Sequence, residues 1–127
     1  MIYTYDYDSD FTPSMPVVAI QVGRSLTPPT LRLTALIDSG ADSVIIPLLY
    51  LRQIRARKER TVWMRTVTGE RSVVDMYMIS LQFGPFAFRE RLVVGGLQPM
   101  EIIMGRDILN QFIVTLNGLA SMVEITQ

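Results

Sequence analysis

The residues best suited to chemistry in this sequence are its carboxylates. The chain contains no histidine and no cysteine, which excludes the Ser-His-Asp triad, the Cys-His pair and zinc sites built on imidazole or thiolate. Its only lysine, Lys58, lies within a strongly basic run. If the protein is an enzyme, we therefore expect Asp or Glu side chains to carry its proton transfers.

One acidic residue, Asp38, stands where a carboxylate is costly. The apolar alternation of residues 31–37 runs directly into Asp38-Ser39-Gly40, and a second apolar segment begins at Val44. An acid at the end of an apolar strand costs free energy unless it has a partner or a use. The alternative is an ordinary turn, in which Asp and Ser bond the local backbone and Gly takes a positive φ. The tripeptide alone favours the turn, so its context has to decide.

The elements that must position Asp38 are predicted to be mostly strands. Alternating or continuous apolar runs predict strands at residues 15–22, 31–37, 44–46, 61–67, 73–83, 86–94, 100–104, 112–116 and 119–125. Gly95-Gly96 is expected to break one of them, and Asn117-Gly118 suits a type I′ turn. We expect short helices at residues 47–54 and after Gly105, where Asp107 can act as the N-cap.

The bulk composition indicates one folded domain. The chain has 127 residues, 49% of them hydrophobic, enough for a single core, and its strands with one or two short helices predict a closed all-β barrel. We interpret residues 1–14 as an exposed N-terminal arm and residues 15–127 as the domain.

Charge and hydropathy argue against two classes of partner. A net charge of +0 lacks the basic excess that binding to nucleic acid normally requires, so we expect no nucleic-acid partner. No apolar run approaches the roughly 20 residues of a membrane span, so we expect no membrane partner and a cytoplasmic location.

Two motifs together resemble the retropepsin family of aspartic proteases. The family has an apolar strand followed by Asp-Thr/Ser-Gly-Ala, and later an apolar pair followed by Gly-Arg-Asp/Asn and a short helix. This chain has Asp38-Ser39-Gly40-Ala41 and, later, Ile103-Met104-Gly105-Arg106-Asp107. The hairpin with Gly69 near its tip lies between them, as the family's flap does. The resemblance covers residues 15–117 and implies an acid-protease-type barrel that forms half of a two-fold symmetric dimer.

The resemblance implies an aspartic endopeptidase whose catalytic residues are Asp38, Ser39 and Gly40. Because the chain contains one Asp-Ser-Gly, two copies must each supply an Asp38, and the pair would share one proton and activate a water. Ala41 offers no hydroxyl to stabilise the charged carboxylates, so we expect activity at mildly acidic pH. An optimum below about pH 3 would contradict this. The implied partners are a second copy and a peptide or protein substrate, with no cofactor and no metal.

Further roles follow from the same resemblance. Asp42 and Arg106 match a family pair in which the arginine braces the catalytic loop. The residues implied in substrate binding are Ala41, Asp42, Val67, Thr68 and Gly69, with pocket walls expected near residues 47, 65–72 and 95–99. Trp63, at the base of the flap, is expected to pack in the core or, second, to wall a pocket.

Several alternatives remain open from the sequence. The chain could be a non-catalytic dimerisation or peptide-binding module that keeps the fold, or an unrelated β-barrel with a chance match. The extra strand at residues 119–125 departs from short viral members, so the terminal sheet of the dimer is expected to differ. The basic run, comprising Arg52, Arg55, Arg57, Lys58 and Arg60, is interpreted as a solvated surface, with a patch for a partner or an acidic substrate as the alternative.

Overall fold

The computed structural model describes residues 1–65, 68–97 and 101–127. Within them the chain forms the following elements: β1 (Tyr3–Asp6), β2 (Val17–Gly23), β3 (Thr30–Ile37), β4 (Ile45–Pro47), α1 (Leu48–Gln53), β5 (Arg57–Arg65), β6 (Arg71–Phe83), β7 (Phe86–Gly96), β8 (Ile102–Met104), α2 (Arg106–Leu109), β9 (Ile113–Asn117) and β10 (Met122–Thr126). The helices found in the described residues are α1 and α2, and neither is long and apolar enough to cross a membrane.

Six strands close into a barrel because β6 is long enough to pair with different neighbours along its length. The strands follow the order β2-β3-β8-β4-β7-β6, and β6 returns to β2 through the pairs Gln21↔Gln82 and Gly23↔Ser80. The first part of β6 pairs instead with β5, from Arg71 to Met78, so the β5–β6 hairpin extends beyond the ring. The predicted closed all-β barrel with short helices is confirmed.

The core fills the barrel interior with aliphatic side chains that alternate along the strands. In β2, Val18, Ile20 and Val22 are at most 2% exposed, while Ala19 between them faces solvent. Each such side chain contributes roughly 1.5–3 kcal/mol by leaving water. The period of two in the sequence therefore sets which strand face turns inward and, with it, the register of the whole ring.

A second sheet, with strand order β1-β10-β9, joins the two ends of the chain. The segment expected to be an exposed arm thus contains a strand, since Tyr3 to Asp6 pair with β10. Tyr3 also meets Phe86 of the barrel edge to face, with ring centroids 5.2 Å apart. Among the described residues β9 pairs with β10 alone, so the sheet ends in an open strand edge.

Two turn predictions were wrong. Gly95-Gly96 does not break β7, which continues through both glycines with each of them buried. A Cβ on Gly95 would lie 2.7 Å from Cε1 of Tyr77, so this glycine permits a close approach of the neighbouring strand. The β9–β10 loop is not a two-residue turn at Asn117-Gly118, because Asn117 pairs with Met122 across four loop residues.

Candidate active site

The loop of residues 38–43 carries the residues predicted to be catalytic, and we call it the catalytic loop on that expectation. It begins where β3 leaves the barrel beside β8. These strands run parallel and pair Ile37 with Met104, and the Asp38 N–H donates to the Met104 carbonyl at 3.2 Å. The Gly40 N–H donates to Oδ1 of Asp38 at 2.9 Å, which holds the carboxylate over its own turn. Asp38, Ser39 and Gly40 are all exposed. The carboxylate is therefore placed where it can reach a water, a substrate or a second subunit.

The two sequence motifs meet through Arg106, at the start of α2. Its Nη1 donates to the Ser39 carbonyl at 2.7 Å, and its Nη2 forms an ion pair with Oδ1 of Asp42. The Arg106 backbone N–H also donates to the Ala41 carbonyl at 2.9 Å. One residue thus contacts three positions of the loop, so the contacts of the predicted brace are present. Its effect on activity stays a prediction.

Asp107 has a different place from the one predicted, because Gly105 and not Asp107 is the N-cap of α2. The Asp107 carboxylate accepts the Val44 N–H at 3.3 Å and the Ile108 N–H at 3.0 Å. Burial raises the pKa of Asp107, and these backbone N–H groups oppose the rise. Its side chain therefore ties α2 to the end of the catalytic loop, across 63 positions of sequence.

A groove of about 500 Å³ opens beside the loop. The described residues that line it are Asp38, residues 40–43, Ile45 of β4, and Met64 and Arg65 of β5. Of the residues assigned to substrate binding, Ala41 and Asp42 lie in this lining. The groove lining thus combines an acidic residue, Asp38, with the apolar Met64, a combination that can hold an extended peptide against an acid.

The hairpin that is expected to act as the flap is formed by β5 and β6. Thr68 and Gly69 are exposed near its tip, where Gly69 takes a φ of 86° that suits glycine, and neither is among the described groove-lining residues. Val67 lies outside the described residues. Trp63 does not pack in the core: it is 65% exposed, and the guanidinium of Arg71 lies 5.5 Å from its ring centroid.

Sequence reasoning missed Ser43, Ile45 and Met64 as groove residues. The alternation of apolar and polar residues along the strands could have indicated two of these residues, Met64 and Ile45. In β5 the half-buried residues are Val62 and Met64, with Trp63 turned outward, and in β4 Ile45 precedes the buried Ile46. Within the described residues, no group of three or more His, Cys, Asp or Glu side chains is placed to hold a metal ion.

Comparisons with known proteins place this geometry in a family. The family model described as retroviral aspartyl protease matches residues 12–117. No curated protein matches the chain. Among solved structures, EIAV protease in complex with the inhibitor HBY-793 has a TM-score of 0.56 and 19% identity, over 76% of this chain and 86% of that one.

A second solved structure extends the likeness to both ends of the chain. A retropepsin-like aspartic protease from Rickettsia conorii has a TM-score of 0.66 and 10% identity, over 98% of this chain and 90% of that one. At these identities both structures establish the shared fold, and the family model, which matches most of the chain, establishes the family. The chain belongs to the retroviral aspartyl protease family.

Proposed function

We propose that this protein is an aspartic endopeptidase that works as a homodimer, with one Asp38 from each subunit. Two carboxylates facing each other across a two-fold axis do not both ionise easily, so the pair holds one proton between them. The ionised member takes a proton from a bound water, which attacks the scissile carbonyl, while the protonated member donates to the carbonyl oxygen. Ser39 and Gly40 shape the turn that presents the carboxylate.

The observation that carries this proposal is the groove wall around Asp38. The carboxylate is exposed, is held by the Gly40 N–H, and belongs to a residue that lines a groove together with Met64 of the expected flap. Arg106 holds the loop through Ser39 and Asp42. A carboxylate that served only to close a turn would not need a second chain segment to hold that turn in place.

Dimerisation is supported by what one chain lacks and by what it exposes. The sequence contains one Asp-Ser-Gly, which supplies one carboxylate of the two that the mechanism requires. The open edge of β9 carries Ile113 and Leu116, which are 63% and 53% exposed. An open strand edge with exposed apolar side chains is a template for pairing with another chain. Members of the family act as homodimers on peptide substrates.

The test is cleavage of an unbiased peptide mixture, with products identified by mass spectrometry across pH, and with association state measured by sedimentation velocity. We expect a dimer that cleaves at mildly acidic pH and is inhibited by a statine-type compound. Asp38→Asn should abolish cleavage while leaving the fold and the dimer intact, because the Asn oxygen can still accept the Gly40 N–H.

The matched control is Asp10→Asn, which makes the same change at an exposed residue far along the chain from the groove and should leave cleavage unchanged. A stable dimer that binds peptides and cleaves none would favour the non-catalytic module instead. A monomer without activity at any concentration would remove the basis for the proposed mechanism.

A further inference from the structure

A second pocket lies at the opposite end of β3 from the catalytic loop. Part of its wall comes from the β2–β3 hairpin, with Arg24 and Pro29, and part from the segment after α1, with Arg55 and Arg57. Its volume is about 840 Å³, larger than the groove beside Asp38. We call it the arginine pocket.

The arginine pocket presents positive charge with no compensating acid. Its described lining contains Arg24, Arg55 and Arg57 and no carboxylate. The ion pairs found among the described residues are Lys58 with Asp75 and Arg106 with Asp42, so none of the three arginines has an acidic partner there. All three arginines are exposed, so their positive charges are accessible from solvent and attract a bound anion.

The backbone at Arg55 adds a second observation. Arg55 follows the C-cap of α1 with a φ of 55°, the left-handed conformation that glycine usually supplies at this place. A residue with a side chain is strained there by about 1–2 kcal/mol. Strained residues cluster at ligand sites, where the strained conformation orients a functional side chain. Arg55 is one of the residues that line the pocket.

One strand connects the arginine pocket to the groove. Arg57, the first residue of β5, lines the pocket, and Met64 and Arg65, at the end of β5, line the groove. Seven residue steps from Arg57 to Met64 span about 23 Å of strand. Among the described residues β5 pairs with β6 alone, and its residues 57–61 are exposed. An extended peptide leaving the groove can therefore run along β5 to the pocket.

We propose that the arginine pocket is an exosite that binds an acidic segment of the protein substrate. The proposal rests on the proposed function, since it assigns the bound segment to the chain being cleaved. Guanidinium groups bind carboxylates with paired hydrogen bonds. The spacing requires the acidic segment to lie at least about seven residues from the cleaved bond, given the rise of an extended chain.

The experiment compares three peptides that share one cleavable core taken from the unbiased mixture. The first peptide carries a Gly/Ser linker followed by a tail of Asp and Glu. The second carries the same linker followed by a tail of Asn and Gln, and the third carries no tail. Each tailed peptide is made in two versions, with the tail at the N-terminal or the C-terminal end of the core. In the wild-type protein we expect the acidic tail to lower KM about tenfold and to leave kcat unchanged. The double variant Arg24→Gln/Arg57→Gln should lose this preference and cleave the untailed peptide normally.

The matched control is Arg32→Gln/Arg89→Gln, which removes the same charge from exposed arginines outside the pocket and should keep the preference. Equal cleavage of all three peptides by the wild-type protein overturns the exosite and leaves the proposed function standing. Loss of the preference in the control double variant as well also overturns it, because the effect would then follow total charge.

A binding measurement separates the two proposals. Fluorescence anisotropy of a labelled acidic-tail peptide is followed with the Asp38→Asn protein, with and without the Arg24→Gln/Arg57→Gln changes. Binding that needs these arginines supports the pocket as an acidic-peptide site, even if the wild-type protein cleaves no peptide. Absence of cleavage together with such binding would overturn the proposed function alone. Binding of inorganic phosphate that is tighter than binding of the peptide overturns the exosite in favour of a small-anion site.

Discussion

At the residue scale, the catalytic loop is held mainly by backbone contacts. The side chains of Asp42 and Arg106 are 84% and 42% exposed, and an ion pair so exposed stabilises a fold by at most about 1 kcal/mol. The backbone approach at Gly105 is more demanding, because a Cβ there would lie 2.6 Å from the Ser43 carbonyl carbon and oxygen. We infer that Arg106 orients the loop, whereas the absent side chain at Gly105 allows it to form.

Gly105→Ala therefore tests the loop directly. The added methyl group meets backbone atoms of Ser43, which cannot rotate away, so we expect a loss of about 1–3 kcal/mol in the free energy of unfolding, together with a fall in kcat. Chemical denaturation and cleavage of the core peptide measure the two effects. Gly118→Ala is the control, since nothing lies within 4 Å of a Cβ there, and an equal loss in both variants would contradict this account.

Asp107 predicts how stability depends on pH. Because burial raises its pKa above the ordinary value of 3.8, the folded state holds this proton more tightly than the unfolded chain does. The resulting stabilisation is complete at pH values below the pKa of Asp107 in the unfolded chain, and it is lost as pH rises through the pKa of Asp107 in the folded protein. Asp107→Asn has no such loss. It should be less stable than the wild-type protein in acid, where it lacks one acceptor, and the gap should narrow as pH rises.

Thermal unfolding of both proteins from pH 3 to pH 7, a range set about the ordinary carboxyl values, measures that gap. Asp10→Asn serves as the control for a lost exposed carboxylate. A gap that widens toward neutral pH would show that the ionised Asp107 carboxylate stabilises the fold, contrary to the direction of its pKa.

At the element scale, the sequence predicts strands better than the contacts between them. The alternation in β2 and β3 is local, and each strand could be placed because one of its faces is buried. The need for a residue without a side chain at Gly95 comes from Tyr77 of a neighbouring strand, and the place of Met64 in the groove lining depends on where β5 lies relative to the catalytic loop. Such contacts join distant segments, so no local pattern records them.

In the predicted site, too, some contacts could be predicted from the sequence and others could not. The pairing of Asp42 with Arg106 was predicted by family resemblance, and the structure brings the two side chains together. The hydrogen bond that the Val44 N–H donates to Asp107 was not predicted, because a carboxylate at the start of a helix is usually a local cap. The position of Val67 in the flap lies outside the described residues and stays a prediction.

The end of α1 offers a test of backbone strain. Arg55→Gly removes a side chain from a left-handed backbone position, and we expect it to raise the free energy of unfolding by about 0.5–1 kcal/mol after the greater freedom of glycine in the unfolded chain is subtracted. Arg52→Gly, inside α1, should instead lower it by about 1 kcal/mol. Urea denaturation of the two variants measures these changes, and the same sign for both would refute the strain at Arg55.

At the scale of the whole molecule, the groove, the arginine pocket and the open strand edge lie in different parts of the fold. The groove beside Asp38 and the arginine pocket lie at opposite ends of β3, and β5 runs between them. The sheet of β1, β10 and β9 joins the chain ends, and within the part of the chain that the structure describes it leaves β9 with an open edge. Since the net charge is +0, the arginine pocket reflects an uneven distribution of charge and not a general attraction to anions.

The open edge of β9 predicts a link between association and activity. Ile113→Asp places a charge on an exposed apolar residue of that edge, and in a two-fold dimer the change occurs twice in one interface. We expect dimer affinity to fall at least about tenfold, since a carboxylate loses its water at the interface without gaining a partner. Sedimentation velocity measures the affinity. Leu49→Asp is the control, because Leu49 is 62% exposed and lies in α1, outside the terminal sheet.

Activity should follow the dimer and not the substitution itself. At low protein concentration Ile113→Asp should be inactive, and as concentration rises its activity per chain should return to that of the wild-type protein, because the variant alters none of the described groove residues. Leu49→Asp should match the wild-type protein at every concentration. If Ile113→Asp were a monomer and still cleaved peptides, a single Asp38 would suffice, and the mechanism of paired carboxylates would have to be abandoned.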